Sequence, residues 1–447
     1  MGESPAQYTL RSTRVVLPTG VQPADVHVVN GVVSAVTPIL QPRASDLEPP
    51  VFDLRSPASN LHDLGDLVVM PGFVDTHVHV NEPGRTNWEG FETAGAAAAA
   101  GGVTTIVDMP LNCVPATTTV RALDEKRRAA LGTRVHVEFW GGVVPGNASE
   151  IETLADAGVR GFKCFLTPSG VDEFPCVGEH DLRVALPRVA ACNLPLLVHA
   201  EWPASLRAIP AGADAHAYKT WLDSRPDNAE RDAIALLVAL CREYRARIHI
   251  VHVASAAVLP LLREARAEGL ALTAETCPHY LTFTAEEIPA GATEFKCAPP
   301  IRDSFTRAAL WAALEDGTLD LIATDHSPSP PGMKAGGDFL RAWGGIASLE
   351  LGLAAVWTGA SSRRIGLDRV AQWLSTAPAA LAGLGATTGA IAPGRDADVV
   401  VWNPAREWVV DQQCLHQRHK LTPYHGRRLR GRVVETYVRG RLVYRDI

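Results

Sequence analysis

The chain has 447 residues, 47% of them hydrophobic, and its net charge of −7 is spread without acidic or basic blocks. It is long enough to bury a large core, and without any Lys/Arg cluster interleaved with aromatics it offers no surface suited to nucleic acid or membranes, which leaves a small neutral or weakly anionic substrate. The opening MGESPAQYTL lacks the charged and apolar regions of a leader, and no apolar stretch approaches the ~18 residues of a membrane span, so a soluble, cytoplasmic protein is expected.

From Tyr8 to about Leu67, short β-prone runs such as RVVL and DVHVVNGVVSAV alternate with turn residues and read as a small β module. The middle changes period. Eight apolar runs follow one another: Gly72 to His77, Val103 to Met109, Val135 to Trp140, Phe162 to Leu166, Leu196 to His199, Ile248 to His252, Leu272 to Thr276 and Leu319 to Thr324. Between most of them lie helix-like stretches, among them WEGFETAGAAAAAGG and AERDAIALLVALCREYRA. Eight strand–helix alternations give an α/β chain of the (β/α)8 barrel class, expected over residues 68–384. The last segment returns to β character in GRDADVVVW and RGRVVETYVRGRLVYRD. Residues 1–67 and 385–447 are therefore expected to build one composite β sandwich beside the barrel, which accounts for length beyond the roughly 250 residues of a bare barrel. Eight cysteines are scattered without a C-x-x-C pair, several inside apolar strands, and read as buried free thiols.

Chemistry-bearing side chains recur where these runs end, which is where a parallel barrel keeps its active site. His77 and His79 are two apart on a strand, so both face one side and can chelate one ion. In the run RIHIVHVAS, His252 shares a face with Ile248 and Ile250, while His249 is expected to point outward. His199 ends PLLVHAE; alone it could be a satisfied core histidine, but its convergence with the other strands favours a ligand. Other histidines, including His62, His180, His216 and His416, lie in loops or ends and are expected to be solvated. Lys163, inside GFKCFL, is an ammonium with no lone pair for a metal. It is either a structural lysine paired with an acid such as Glu201 or Asp108, or a desolvated amine that has taken up carbon dioxide to become a carbamate. With imidazoles on four sides the carbamate is the more economical account, since it supplies a carboxylate able to bridge two cations. Asp325, in ATDHS, suits a metal ligand and proton-transferring base, and also a helix N-cap.

The motifs MPGFVDTHVHVNEPGR, GFKCFL, SGVDEFP, CPHYL, FKCAPPIRD, ATDHSPSPPGMK, AWGGIASLELGL and PGRDADVVVW run nearly end to end, and through them the chain resembles the cyclic amidohydrolases, the allantoinases among them most closely. The resemblance implies an amidohydrolase barrel with a composite sandwich and a binuclear centre of two divalent ions, usually zinc. It implies that His77, His79, Lys163 and Asp325 hold the more buried ion and that carboxylated Lys163, His199 and His252 hold the outer one. Asp325 would shuttle a proton while water opens the hydantoin ring of allantoin to allantoate, and a homotetramer is expected from the relatives. Departures narrow the substrate. Asn81 stands where dihydroorotases carry a carboxylate-binding arginine, and Pro168 where hydantoinases and dihydropyrimidinases carry a carbonyl-polarising tyrosine. Ala298 and Gly344 replace a serine and an asparagine that meet the ring through backbone groups. Asn81, Arg85 and Asn112 could meet the ureido arm or stabilise loops. A hydantoinase or dihydropyrimidinase remains the alternative. A dihydroorotase fits less well, and six intact ligand positions argue against a non-catalytic scaffold.

Overall fold

The computed structural model describes residues 7–39 and 60–446; the start of the chain read for a leader, and positions 40–59 of the expected N-terminal module, lie outside the described residues. Strands β1 (Gln7–Leu17), β2 (Gly20–Val29), β3 (Val32–Pro38), β4 (Leu61–Asp63) and β5 (Val68–Pro71) come first. They join β15 (Val399–Val409), β16 (Arg428–Val438) and β17 (Arg441–Arg445) from the far end of the chain. The ladder runs β17-β16-β15-β5-β1-β2-β3, with β4 beside β1. Its ends come back together. The Asn30–Gly31 turn packs on Arg439, whose carbonyl oxygen lies 2.6 Å from where a Gly31 Cβ would sit, and the Tyr8 hydroxyl donates to the Gly440 carbonyl at 2.8 Å. Gly31 has φ +80°, so a side chain there would be strained as well as crowded. The sheet thus closes over Leu10, Val26, Val28, Val33, Val399, Val401 and Tyr437, the sandwich core.

Val68–Pro71, expected to open the barrel, belongs to this sheet instead, parallel to β1 and antiparallel to β15. Alternation explains it: Val69 faces the sandwich core, while Val68 and Met70 face the core shared with the barrel helices.

The barrel strands are β6 (Phe73–Val78), β7 (Val103–Asp108), β8 (His136–Phe139), β9 (Gly141–Gly142), β10 (Phe162–Phe165), β11 (Leu196–His199), β12 (Ile248–Ile250), β13 (Leu272–Thr276) and β14 (Leu321–Ile322). All pair in parallel, in two arcs, β6-β7-β8 and β9 through β14. Only Trp140 separates β8 from β9, so these two fragments occupy one place in the ring. A parallel bridge between Val78 and His326, with the His79 amide donating to the His326 carbonyl at 2.8 Å, closes the circle. The eight expected runs are all present.

Period-2 alternation divides each strand between two cores. Phe162, Cys164, Leu196, Val198, Ile248, Ile250 and Ala274 pack outward with the helices, whereas Val74, Val107, Phe165, Leu197, Val251 and Leu321 fill the barrel. The helix Asp227–Tyr244 shows how the outer layer forms. Ala233, Ile234, Leu237, Val238 and Cys241 recur at helical spacing and are buried, Asp227 and Glu230 sit in the first turn where the helix dipole favours acids, and Arg245, at φ +54°, ends it in a left-handed cap. All eight cysteines are free. Among the described residues no helix is long and apolar enough to cross a membrane.

Candidate metal centre

The six expected ligands converge at the C-terminal mouth of the barrel. His77 lies in β6 and His79 just past its end; Lys163 lies in β10; His199 ends β11. His252 and Asp325 follow β12 and β14 on turns, with φ of +41° and +47°. Left-handed backbone is costly for residues with a Cβ, and its use at both positions shows the turns bending to bring these side chains inward. Asp325 Oδ1 lies 3.2 Å from His77 Nε2 and 3.3 Å from His79 Nε2. The rings of His77 and His252 are 5.4 Å apart, and those of His199 and His252 4.5 Å. Lys163 Nζ sits 4.8 Å from the Phe165 ring, which stacks on His199. Asp325 caps no helix; its side chain faces the imidazoles.

Lys163 is fully buried and its amine has no hydrogen-bond partner. The two acids that could have paired with it are engaged elsewhere. Asp108 binds Lys126 at 2.5 Å, and Glu201 binds His199 at 2.8 Å and Arg225. Burial lowers the Lys163 pKa to about 8, partly opposed by Asp325 and Glu275. Burial and the Lys163 charge hold His77 well below the usual histidine range, and burial with His199 does the same for His252, so both imidazoles are neutral and able to donate lone pairs. His79 Nδ1 and His252 Nδ1 are buried without partners. This donor set, four imidazoles with a carboxylate around an unpaired amine, fits divalent cations.

One expectation is corrected. His249 does not point outward: it is Ile248 and Ile250 that face the helices, and alternation turns His249 into the barrel, where Nε2 meets Glu275 at 3.0 Å and Nδ1 meets Thr273 at 2.8 Å. His252 reaches the site because the strand ends at Ile250, releasing it from the alternation.

Three supporting roles went unread in the sequence. Glu275 Oε1 accepts from His77 Nδ1 at 2.6 Å while its other oxygen meets His249, which leaves His77 Nε2 with its lone pair toward the centre. Glu201 holds His199 by Nε2; burial opposes its charge, yet Arg225 and His199 keep its pKa at about 2. Asp75 accepts from the Thr324 hydroxyl at 2.5 Å and its amide at 3.2 Å, fixing the turn that carries Asp325. Glu275 and Asp75 are acids inside apolar runs, a signal that was legible; Arg225, on a connecting segment, gave none.

A cavity of roughly 260 Å³ opens over the cluster, lined by His77, His79, His199, His252 and Asp325, with Asn112, Ala298 and Gly344 on its walls. Asn81 and Arg85 do not line it. Asn81 is buried with its amide 3.4 Å from the Pro328 carbonyl, and Arg85 is spent on Glu173 and the Asn112 carbonyl, tying three loops together.

A barrel with an imidazole and carboxylate cluster at its mouth defines the class of metal-dependent hydrolases. Residues 68–443 match the model of the amidohydrolase family, and the chain belongs to that family. It is 49% identical to an allantoinase of Streptomyces avermitilis, over 99% of this chain and 96% of that one, and 43% identical to an allantoinase of Arabidopsis thaliana, over 98% and 88%. Among solved structures it is similar to an L-hydantoinase from Arthrobacter aurescens, with a TM-score of 0.89 and 32% identity over 98% of this chain and 96% of that one.

Proposed function

We propose that this amidohydrolase opens the hydantoin ring of allantoin by hydrolysis, giving allantoate. The observation that carries the reading is the set of four buried imidazoles and Asp325 around an unpaired, fully buried Lys163, in a chain nearly half identical to an allantoinase over its whole length. His77, His79, Lys163 and Asp325 would hold one divalent ion and Lys163, His199 and His252 the other, both zinc in this reading. Lys163 would serve both as a carbamate, which its neutral amine would form by adding to carbon dioxide with release of a proton. When bound, the ions polarise the ring carbonyl and lower the pKa of water toward ~7.

The chain's own groups do the rest. Asp325 takes a proton from the attacking water and delivers it to the ring nitrogen as the C–N bond breaks, so one water is consumed and a carboxyl group and a free ureido nitrogen result. Glu275 and Glu201 hold His77 and His199 in one orientation. Ala298 and Gly344 present backbone groups to the ring. The barrel of residues 72–384, the sandwich of both chain ends, a homotetrameric assembly and a cytoplasmic location belong to the same reading.

The similarity to hydantoinases supports one competing reading, action on simple 5-substituted hydantoins or dihydrouracil. Initial rates on allantoin, 5-methylhydantoin and dihydrouracil separate the two. Allantoin is expected to be turned over fastest, with activity lost to a chelator and restored by divalent metal; a preference for either simple ring would sink the allantoin reading.

A further inference from the structure

The metal-site residues account for only part of the cavity lining. Three polar atoms on cavity-lining residues are buried without partners: Asn112 Oδ1, Thr167 Oγ1 and Trp343 Nε1. Buried polar atoms are rarely left unpaired unless something is meant to meet them. Trp343 lines the cavity. Its ring edge lies 3.3 Å from where a Gly170 Cβ would be, and its ring packs edge-on to Trp88 at 5.0 Å.

The loop that carries Trp343 is irregular, so its carbonyls find no ladder partners and must be met by other donors. Two buried lysines supply them. Lys296 Nζ donates to the Ala342 carbonyl at 2.5 Å and the Leu340 carbonyl at 3.3 Å, and Lys334 Nζ donates to the Trp343 carbonyl at 2.9 Å. The backbone of Lys296 also accepts from the Gly345 amide at 2.8 Å, and the Trp343 amide donates to the Met333 carbonyl at 2.9 Å. Neither amine forms an ion pair with a carboxylate among the described residues. A buried amine without a counter-charge is a poor way to gain stability, but its N–H donors fix several carbonyls at once.

We propose that Thr167 and Trp343 form the subsite for the exocyclic ureido arm of the substrate, and that Lys296 and Lys334 are positioning residues that hold Trp343 in that subsite. A ureido group offers a carbonyl acceptor and several N–H donors. The Thr167 hydroxyl can give and accept, the indole N–H can give, and Asn112 Oδ1 can accept. The proposal rests on the allantoin reading above and adds what distinguishes allantoin from a bare ring.

The test uses the metal-loaded enzyme and two numbers, KM for allantoin and the inhibition constant of unsubstituted hydantoin, which has the ring without the arm. Thr167→Val and Trp343→Phe are each expected to raise KM for allantoin about fivefold to tenfold, the loss of one hydrogen bond to a buried partner, with the hydantoin constant within about twofold of the unaltered enzyme. Lys334→Met is expected to show the same selective loss at unchanged metal content, with faster peptide-level hydrogen exchange over residues 338–345. Should Lys334→Met fail to fold, the first two variants still decide. Equal weakening for both rings, or none, overturns the subsite. If the unaltered enzyme does not open allantoin, the substrate reading itself falls; if it does and the variants are unselective, only the arm subsite falls.

Discussion

Replacing Glu275 by glutamine changes one atom and leaves the volume alone, yet it removes the charge from a carboxylate that meets His77 at 2.6 Å and His249 at 3.0 Å. Both bonds survive in neutral form: the glutamine oxygen accepts from His77 Nδ1, and its amide donates to His249. A charge-assisted hydrogen bond exceeds a neutral one by about 1 kcal/mol, so the two together weaken the hold on His77 by about 1–2 kcal/mol, or about fivefold to thirtyfold in metal affinity. Glu275→Leu, which leaves His77 Nδ1 and His249 Nε2 without a partner in a fully buried place, is expected to cost more than the glutamine variant. The assay is competition for zinc between the metal-free protein and a chromophoric chelator, with circular dichroism to verify the fold. A folded Glu275→Gln protein whose zinc affinity stays within twofold of the original would refute the argument that Glu275 orients His77.

Asp325→Asn is expected to lower kcat by about 100-fold or more, the usual weight of a general acid–base, in protein that still carries metal; near-normal turnover would remove the proton-shuttle role. Glu201 has its pKa depressed to about 2, so its stabilising effect is present above the unfolded carboxylate range and is lost as pH falls from about 4.5 toward 2. Urea midpoints should therefore separate the original protein from Glu201→Gln at pH 7 and bring them together near pH 2. Leu237, fully buried on the long outer helix, should cost about 2–5 kcal/mol when cut to alanine, measured by denaturant unfolding, without altering zinc affinity.

The barrel was legible because its strands are short apolar runs whose ends carry the chemistry, and His77, His79, Lys163, His199, His252 and Asp325 could be gathered by that register alone. The faces were harder. Counting alternation through to His252 assumed a strand that in fact ends at Ile250, which inverted His249 and hid its bond to Glu275. Val68–Pro71 was assigned to the barrel because a buried run looks the same whichever sheet it joins; only its pairing to β1 and β15 distinguishes the two. Of the two roles the sequence left open for Arg85, the structure shows the loop-stabilising one; its partner Glu173 lies 88 residues away, and long-range pairing leaves no local trace in sequence. Arg225 and the Lys296–Lys334 clamp escaped notice for the same reason.

The central claim is a two-ion centre bridged by a carboxylated Lys163, and native mass spectrometry of the active protein tests it most directly. The account predicts the mass of the chain plus two divalent ions and one carbon dioxide, with Lys163→Ala losing the carbon dioxide and the ions together. A protein that opens allantoin while carrying neither the ions nor the added carbon dioxide would contradict it.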